Sequence, residues 1–555
     1  MLPVFPLLTG LMAYPQGKNV PLTHADTLRG SIGPERAWWD VTHYSIDVRP
    51  DLQEHTIAAT TAITFKAIAP GGRMQIDLQQ PLKIDEVRLI WSDVSEQLPV
   101  ERDSDLFHVD VGDRCPIGST CTLTVRYSGH PREARNAPWD GGWVWRKGPE
   151  GDPFVSVACQ GIGASVWYPC KDTQADEPDS AELRITVPDT LQAIGNGRLR
   201  GTARNNDGTA TWTWAVVSPI NNYDIIPYIG KYAHIHDTYA GLDGPLDLDY
   251  WVLALHEAEA REHFKEVPIM LHCFEEPFGP YPFYVDGYKL VEAPYLGMEH
   301  QSAVAYGNGF QEGYRGMDLS GTGWGKKWDY IIVHESGHEW FGNSITTADI
   351  ADMWVHEGFT DYSETIYVQC VFGEEAGDDY VIGLRRNIRN DRPIIGPYGV
   401  NKEGSTDMYY KGANLIHTIR HAMNDDQRFF AMLREMNARF RHQVVTSRQI
   451  EAFISDFSGM DLGPVFDQYL RTTQVPVLQW GWQRGQVVVR WSNCIDTFHL
   501  PVRLLVDDRP LLIDPRKDWT PVPGEHNKHS RLAVDRNWYV GEEHLTRKAM
   551  RKTVR

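Results

Sequence analysis

Residues 333–343 have the sequence V-H-E-S-G-H-E-W-F-G-N, which contains the pattern H-E-x-x-H. His334 and His338 are four residues apart, a little over one helical turn, so both imidazoles face the same side of a helix. Two imidazoles so placed can bind one Zn²⁺, and Glu335 beside them can reach a water on that ion. The alternative interpretation is an ordinary helix that exposes its histidines and glutamate.

Glu357 is the candidate third ligand. Eighteen residues separate it from His338, and it lies near the start of a second predicted helix, which runs from Trp354 to about Val371. Two histidines and one glutamate leave the fourth zinc position open, as in catalytic sites, whereas a structural site is closed by a fourth protein ligand. The sequence therefore predicts a single catalytic zinc per chain.

These motifs resemble the aminopeptidase N family of zinc exopeptidases, a gluzincin family. The resemblance rests on H-E-x-x-H, the eighteen-residue spacing, the W-x-x-E-G-F context of Glu357 and the W-F-G-N that ends the first motif. It implies that His334, His338 and Glu357 bind zinc and that Glu335 is the general base. It covers about residues 35–473 and implies a thermolysin-like, mainly helical catalytic domain beneath an N-terminal β domain.

A second motif concerns the substrate's amino end. The family carries G-x-M-E-N before the zinc helix, and Gly297, Met298 and Glu299 match its later positions. The resemblance implies that Glu299 holds the free α-ammonium of a peptide, since only a cation offsets the desolvation of a buried carboxylate. Tyr295 resembles an aromatic residue of the aminopeptidase B and leukotriene-hydrolase branch. Without the family, Glu299 is a surface acid at the edge of a strand.

Two residues depart from that motif. Leu296 replaces its first glycine and His300 replaces its asparagine. Glu299 itself is intact, so recognition of the amine is retained. The resemblance therefore does not predict the shape of the pocket that takes the first side chain of the substrate. It also does not predict the hydrogen bond that the asparagine would make.

Two further residues are implied by the resemblance. Gln160 stands nine residues before Pro169 in a P-C-x-D turn and is expected to help hold the amino end. Tyr409 opens Y-Y-K-G and matches the tyrosine that hydrogen-bonds the oxyanion of the tetrahedral intermediate. Tyr410 fills the variable position of that motif, and two packing tyrosines are the structural alternative. Glu364 or Asp361, on the face of Glu357, can orient a ligand histidine.

The predicted activity is a zinc aminopeptidase that removes N-terminal residues from peptides. Alternatives are a zinc endopeptidase or other zincin hydrolase, and a non-catalytic binding protein on a peptidase scaffold. Glu299 argues against an endopeptidase, because it would clash with a chain that continued past the amino end. The complete set of ligands, base and tyrosine argues against a purely binding protein.

The elements that position these residues form a multidomain α+β protein. Alternating strands, such as 43–48, 60–65 and 181–187, predict an N-terminal antiparallel β saddle over residues 31–255. A change to helical periodicity predicts a catalytic domain over 256–473, and renewed strands predict a small C-terminal β-sandwich over 474–542. Residues 1–30 are expected to be a flexible N-terminus or signal remnant, and 543–555 a tail.

Composition and net charge limit the classes of partner that the protein is expected to bind. The 555 residues carry a net charge of −20, which argues against nucleic acid and anionic membranes. No apolar run is long enough to span a bilayer. Seven scattered cysteines imply no disulfide framework or cysteine zinc site, although Cys115 and Cys121 either bridge a turn or remain free thiols. The predicted location is periplasmic or secreted, since similar bacterial enzymes are often exported, with the cytoplasm as alternative.

Overall fold

The computed structural model describes residues 22–483, 485–524, 526 and 529–552. A β-rich N-terminal body, a mainly helical body and a small β module follow one another along the chain, which confirms the predicted α+β fold class. Of the segment 1–30, residues 1–21 lie outside the described residues, and the rest contains the short helix α1 (His24–Leu28).

The N-terminal body is built from alternating apolar and polar strands that bury one face. Its strands are β1 (Trp39–Asp51), β2 (Thr56–Ala67), β3 (Arg73–Asp77), β4 (Lys83–Trp91), β5 (Val94–Gln97), β6 (Val100–Asp103), β7 (Leu106–Asp110), β8 (Thr120–Gly129), β9 (Gly142–Lys147), β10 (Pro153–Ala158), β11 (Ser180–Pro188), β12 (Gln192–Ile194), β13 (Arg198–Arg204), β14 (Thr209–Val216) and β15 (Tyr228–Gly230). They form an eight-stranded sheet in the order β13-β14-β11-β1-β2-β8-β4-β5 and two smaller sheets, β12-β15-β10-β9 and β3-β7-β6. The large sheet is antiparallel except where β1 pairs with β11 in parallel.

The boundary predicted at residue 255, between the N-terminal and the catalytic domain, falls between strands of one sheet. The hairpin of β16 (Tyr232–Gly241) and β17 (Gly244–Leu253) was assigned to the N-terminal domain, but β17 pairs in parallel with β18 (Tyr288–Glu292) of the helical body. With β19 (Gly297–Met298) and β20 (Val304–Tyr306) they form the sheet β16-β17-β18-β20-β19. Alternation along a hairpin shows that it buries one face, but not which core it covers.

The helical body carries the predicted zinc helix and its neighbours. Its remaining elements are α2 (Glu257–His263), α3 (Glu266–Phe278), α4 (Tyr330–Gly337), β21 (Ile345–Thr347), α5 (Trp354–Phe372), α6 (Glu374–Leu384), α7 (Tyr410–Met423), α8 (Asp426–Phe440), β22 (Gln443–Val445), α9 (Ser447–Ser458) and α10 (Gly463–Arg471). The Asp329 side chain caps α4 by accepting from the backbone N–H groups of Ile331 and Ile332.

Glycines allow the helices around the site to approach closely. A Cβ on Gly337 of α4 would lie 2.4 Å from the Ser363 hydroxyl of α5, and one on Gly412 of α7 would lie 2.9 Å from the Cα of Gly358 in α5. Neither distance is compatible with a real Cβ, so both contacts require glycine. The α5 helix is thereby held against both α4 and α7.

The C-terminal module packs two small sheets. Its strands are β23 (Val477–Gln483), β24 (Gln486–Ser492), β25 (Val502–Val506), β26 (Arg509–Ile513), β27 (Thr520–Pro521), β28 (Leu532–Val534) and β29 (Gly541–Leu545), in the orders β27-β24-β23-β29 and β26-β25-β28. The predicted tail from residue 543 instead contains the end of β29 and the helix α11 (Arg547–Lys552). Met550 of α11 is buried beside Val488 and Leu545, which explains why the tail folds back.

Two disulfides are present among the described residues. One joins Cys115 and Cys121, the pairing that the sequence left open. The other joins Cys273 of α3 to Cys370 of α5, across a sequence separation of 97 residues, and sequence analysis missed it. Over the described ranges, every helix is too short or too polar to cross a bilayer.

Candidate metal centre

A cavity of about 860 Å³ lies between the N-terminal body and the helices. Most of the residues predicted from the sequence line it, although they come from distant parts of the chain. These are Gln160, Gly297, Met298, Glu299, His334, Glu335, His338, Glu357 and Tyr409. Two more motif residues also line the cavity: Leu296, which replaces a glycine of its motif, and Tyr410, which fills the variable position of its motif.

The three predicted ligands converge in this cavity. The Nε2 atoms of His334 and His338 lie 3.8 Å and 3.3 Å from Oε2 of Glu357. All three side chains are buried. The spacing on α4 places the histidines on one face, and the close α4–α5 contact brings Glu357 opposite them.

The other ring nitrogen of each histidine is held by a protein group. Nδ1 of His334 lies 2.6 Å from Oε1 of Glu364, whose Oε2 accepts from the Tyr380 hydroxyl at 2.6 Å. Nδ1 of His338 lies 3.0 Å from the Phe341 carbonyl oxygen. These contacts place the proton on Nδ1 and turn the lone pair of each Nε2 towards Glu357. Of the two acids considered from the sequence, Glu364 is the one that contacts a ligand histidine.

The donor set fits a divalent cation. Oε2 of Glu357 is buried and accepts no hydrogen bond, although two imidazole nitrogens lie nearby. An unpaired buried carboxylate oxygen is costly without a positive partner. Two nitrogen donors and one carboxylate are ligands that Zn²⁺ takes in tetrahedral sites. A cation between the three side chains would satisfy Glu357 without disturbing the Nδ1 contacts.

Glu335 stands beside the ligand set without belonging to it. One of its carboxylate oxygens lies within 4.8 Å of a ring nitrogen of both His334 and His338. A Cβ on Gly297 would lie 2.8 Å from both Oε1 of Glu335 and Cγ2 of Ile331, so a larger residue at this point of the edge strand β19 would displace these side chains. Burial raises the pKa of the Glu335 carboxyl to about 7, and a neighbouring cation would oppose that rise.

Glu299 lies in a cradle made by two bodies of the fold. Its Oε1 accepts from Nε2 of Gln160 at 2.5 Å and from the Tyr223 hydroxyl at 3.1 Å. Its backbone carbonyl accepts from the Asn343 side chain at 2.7 Å. Burial raises the pKa of Glu299, and it has no ion-pair partner among the described residues. The sequence predicted no role for Tyr223, because no motif surrounds it.

Two residues near Glu299 have other surroundings. The Tyr295 hydroxyl donates to the Val157 carbonyl at 2.8 Å, so its polar end points into the N-terminal body and the residue does not line the cavity. His300 is fully buried, with Nδ1 2.7 Å from the Tyr228 hydroxyl. The departure at His300 therefore faces the protein interior, whereas Leu296 shapes the cavity wall.

Tyr409 lines the cavity beside His334. Its ring centroid lies 6.1 Å from that of His334, with 23° between the planes. Desolvation raises the pKa of its hydroxyl, which therefore keeps its proton at neutral pH. Tyr410 begins α7 and lines the same cavity, with its ring 6.4 Å from that of Tyr409.

The fold and the side chains together give a candidate His₂Glu metal site in the cavity between the β-rich and the helical body. A peptidase family M1 domain model matches residues 270–469, and a peptidase M1 N-terminal domain model matches residues 41–223. Together the two models cover about two thirds of the sequence. The chain belongs to the M1 peptidase family, which confirms the resemblance drawn from its motifs.

Individual relatives are distant. Aminopeptidase B of Mus musculus is 24% identical over 350 residues, which is 58% of this chain and 50% of the relative. Aminopeptidase N of Lactococcus lactis subsp. lactis is 23% identical over 304 residues, 52% of this chain and 31% of the relative. The chain thus spans about half the length, or less, of these curated relatives.

A solved structure shares most of the fold. An M1 zinc metallopeptidase mutant from Deinococcus radiodurans, bound to a Tyr-Ser-Ala substrate, superposes with a TM-score of 0.65 at 19% identity. The match covers 79% of this chain and 95% of that protein. It supports the assignment of a β-rich domain followed by a helical catalytic domain.

Proposed function

We propose that this protein is a zinc aminopeptidase that removes single residues from the free amino end of peptides. One observation carries the proposal: Glu299, which is buried and has no ion-pair partner among the described residues, lines the same cavity as the His₂Glu set and Glu335. A peptide ammonium is the cation that such a carboxylate would hold. In an endopeptidase the substrate chain would continue past this point and would bring no ammonium group to pair with the buried acid.

The chain's own groups divide the reaction between them. Zinc, when bound by His334, His338 and Glu357, polarises the scissile carbonyl and lowers the pKa of a water. Glu335 accepts the proton of the attacking water and delivers it to the leaving amine. The Tyr409 hydroxyl donates to the carbonyl oxygen as negative charge develops there.

The binding end of the cavity sets the length of the product. Glu299 pairs with the α-ammonium, and Gln160 and Tyr223 fix its carboxylate by donating to Oε1. An anchored amino end places the first peptide bond at a constant position, which favours release of one residue per cut. Leu296 and Met298 line the wall beside the anchor and are the candidates to contact the first side chain.

The test compares free and N-acetylated aminoacyl anilides of alanine, leucine, arginine and glutamate. We expect chromophore release from the free substrates alone, with kcat/KM lowered by about 30-fold or more in Glu299→Ala, because truncating one partner of a buried charge pair costs roughly 2–5 kcal/mol. Glu335→Gln should abolish release while zinc is retained. Glu276→Ala, an exposed acid on α3, is the matched control.

Two results would overturn the proposal. Equal cleavage of acetylated substrates would remove the amine anchor and favour an endopeptidase. Absence of cleavage of every free substrate and of short peptides, with zinc bound, would favour a binding protein on the same scaffold.

We also propose that the protein works in the periplasm or is secreted. Its support is the pair of disulfides, because such bonds persist in oxidising compartments and are rare in the cytosol. Thiol titration of protein that is purified from its natural source and then denatured should find three free thiols. These are Cys159, Cys170 and Cys494. Seven free thiols in protein from its natural source would favour the cytoplasm.

A further inference from the structure

A second group of metal-binding side chains lies outside the catalytic cavity. His417 and His421 are four residues apart on α7 and so share one helical face. Asp378 projects from α6, and its Oδ1 lies 3.8 Å from Nε2 of His417 and 3.9 Å from Nε2 of His421. The three ligand atoms all lie within 4.8 Å of one another. No part of the proposed reaction uses them.

The burial of this group leaves one nitrogen without a partner. His417 is fully buried, and the exposed fractions of His421 and Asp378 are 8% and 9%. Nε2 of His421 is buried and makes no hydrogen bond, although it points towards Asp378. An unpaired buried nitrogen carries a desolvation cost that a bound cation would remove.

Neighbouring side chains orient the candidate ligands. The Tyr362 hydroxyl lies 3.3 Å from Nδ1 of His417, so a proton on Nδ1 leaves the Nε2 lone pair for a metal. Asn537, from the C-terminal module, donates to Oδ2 of Asp378 at 3.1 Å. Nε2–H of His417 donates to Oδ1 of Asn537 at 3.2 Å. Zinc binding requires this proton to move to Nδ1, where the Tyr362 hydroxyl accepts it, and Oδ1 is then available as a fourth donor. Helices α6 and α7 and the C-terminal module therefore meet at this point.

We propose that Asp378, His417 and His421 form a second zinc site, which ties α6 and α7 to the C-terminal module through Asn537. Two imidazoles and a carboxylate match the borderline-soft donor preference of Zn²⁺. The nitrogen-to-oxygen separations of 3.8 Å and 3.9 Å resemble the 3.8 Å and 3.3 Å of the catalytic set. A small inward shift of the side chains brings all three donors to zinc distance.

Arg420, the neighbour of His421 on α7, does not form an ion pair with Asp378. Its guanidinium is paired with Asp426, whose Oδ2 accepts from it at 2.6 Å. Among the described residues, the ion-pair contacts of Asp378 are those with His417 and His421.

Zinc counting on the full chain tests the proposal. Purified protein is dialysed to equilibrium against buffered Zn²⁺, and bound metal is measured for wild type, His421→Ala, Asp378→Asn and His338→Ala. We expect two zinc ions per chain in the wild type and one in each single variant. The exposed His272 on α3 supplies the matched control, and His272→Ala should retain both ions.

A second readout separates zinc binding from folding defects. Zinc should raise the melting temperature of His338→Ala, in which the second site remains, and leave that of His338→Ala with His421→Ala unchanged. His421→Ala should keep aminopeptidase activity at saturating zinc.

These outcomes separate the second-site proposal from the proposed function, in which the other zinc ion is bound by His334, His338 and Glu357. One zinc in the wild type, retained in His421→Ala and lost in His338→Ala, would refute the second site alone. One zinc lost only in His421→Ala would support the second site and refute the catalytic one. Two ions in His421→Ala would show that the second ion binds elsewhere.

Discussion

Glu364 contacts His334, one of the proposed zinc ligands, through the ring nitrogen that faces away from Glu357, so its replacement gives a sharp test of the site. Glu364 and His334 are buried, and Oε1 lies 2.6 Å from Nδ1. A hydrogen bond to a charged group contributes roughly 1.5–3 kcal/mol and a neutral one roughly 0.5–1.5 kcal/mol. Glu364→Gln keeps the acceptor and loses the charge, so zinc affinity should fall about tenfold. Glu364→Ala removes both and should approach the upper end of about 100-fold.

The assay is competition for zinc against a chromophoric chelator, in the His421→Ala background so that one site is counted. Tyr380→Phe removes the donor to Oε2 but leaves the His334 contact, and should weaken zinc by about fivefold, the effect of roughly 1 kcal/mol. Glu375→Gln makes the same chemical change at an exposed position of α6 and should have no effect. Unchanged zinc affinity in folded Glu364→Ala would show that His334 does not depend on this contact.

Three other changes test separate parts of the structure. Replacing Cys273 and Cys370 by serine should lower the free energy of unfolding by up to about 4–5 kcal/mol in urea titrations, because the bond closes a loop of 97 residues; an unchanged midpoint would contradict this. Gly297→Ala should lower kcat by up to about 100-fold with zinc retained, since its Cβ would displace Glu335; wild-type kcat would refute the contact. Tyr409→Phe should lower kcat by about 10²–10³-fold with little change in KM, and a change in KM alone would assign Tyr409 to substrate binding.

The relative placement of the candidate ligands was predictable because it is set largely by local spacing. Four residues on one helix bring His334 and His338 to the same face, whatever the rest of the chain does. The position of Glu357 on a second helix followed from a motif of known spacing, and the structure brings its Oε2 within 3.8 Å of both Nε2 atoms. The same reasoning left Glu364 and Asp361, seven and four residues past Glu357, as alternatives, and in the structure Glu364 lies against His334.

Contacts between distant segments were not predictable in the same way. The bond between Cys273 and Cys370 depends on how α3 crosses α5, which no periodicity encodes. Tyr223 lies in a one-turn 3₁₀ helix, Asn222–Asp224, and nothing in the neighbouring sequence indicates that it contacts Glu299. The β16–β17 hairpin shows the same limit, since a strand pattern identifies a buried face but not the sheet that it joins.

The proposed anchor for the amino end is built from both the N-terminal and the helical body. Glu299 follows the edge strand β19 of the helical body, but both side chains that donate to its Oε1, Gln160 and Tyr223, come from the N-terminal body. The proposed metal ligands and Glu335, in contrast, all lie on or at the ends of α4 and α5. In the proposed reaction the helical body alone supplies the groups for bond cleavage, whereas recognition of the chain end needs both bodies. The proposed preference for a free amino end therefore depends on how the two bodies are packed together.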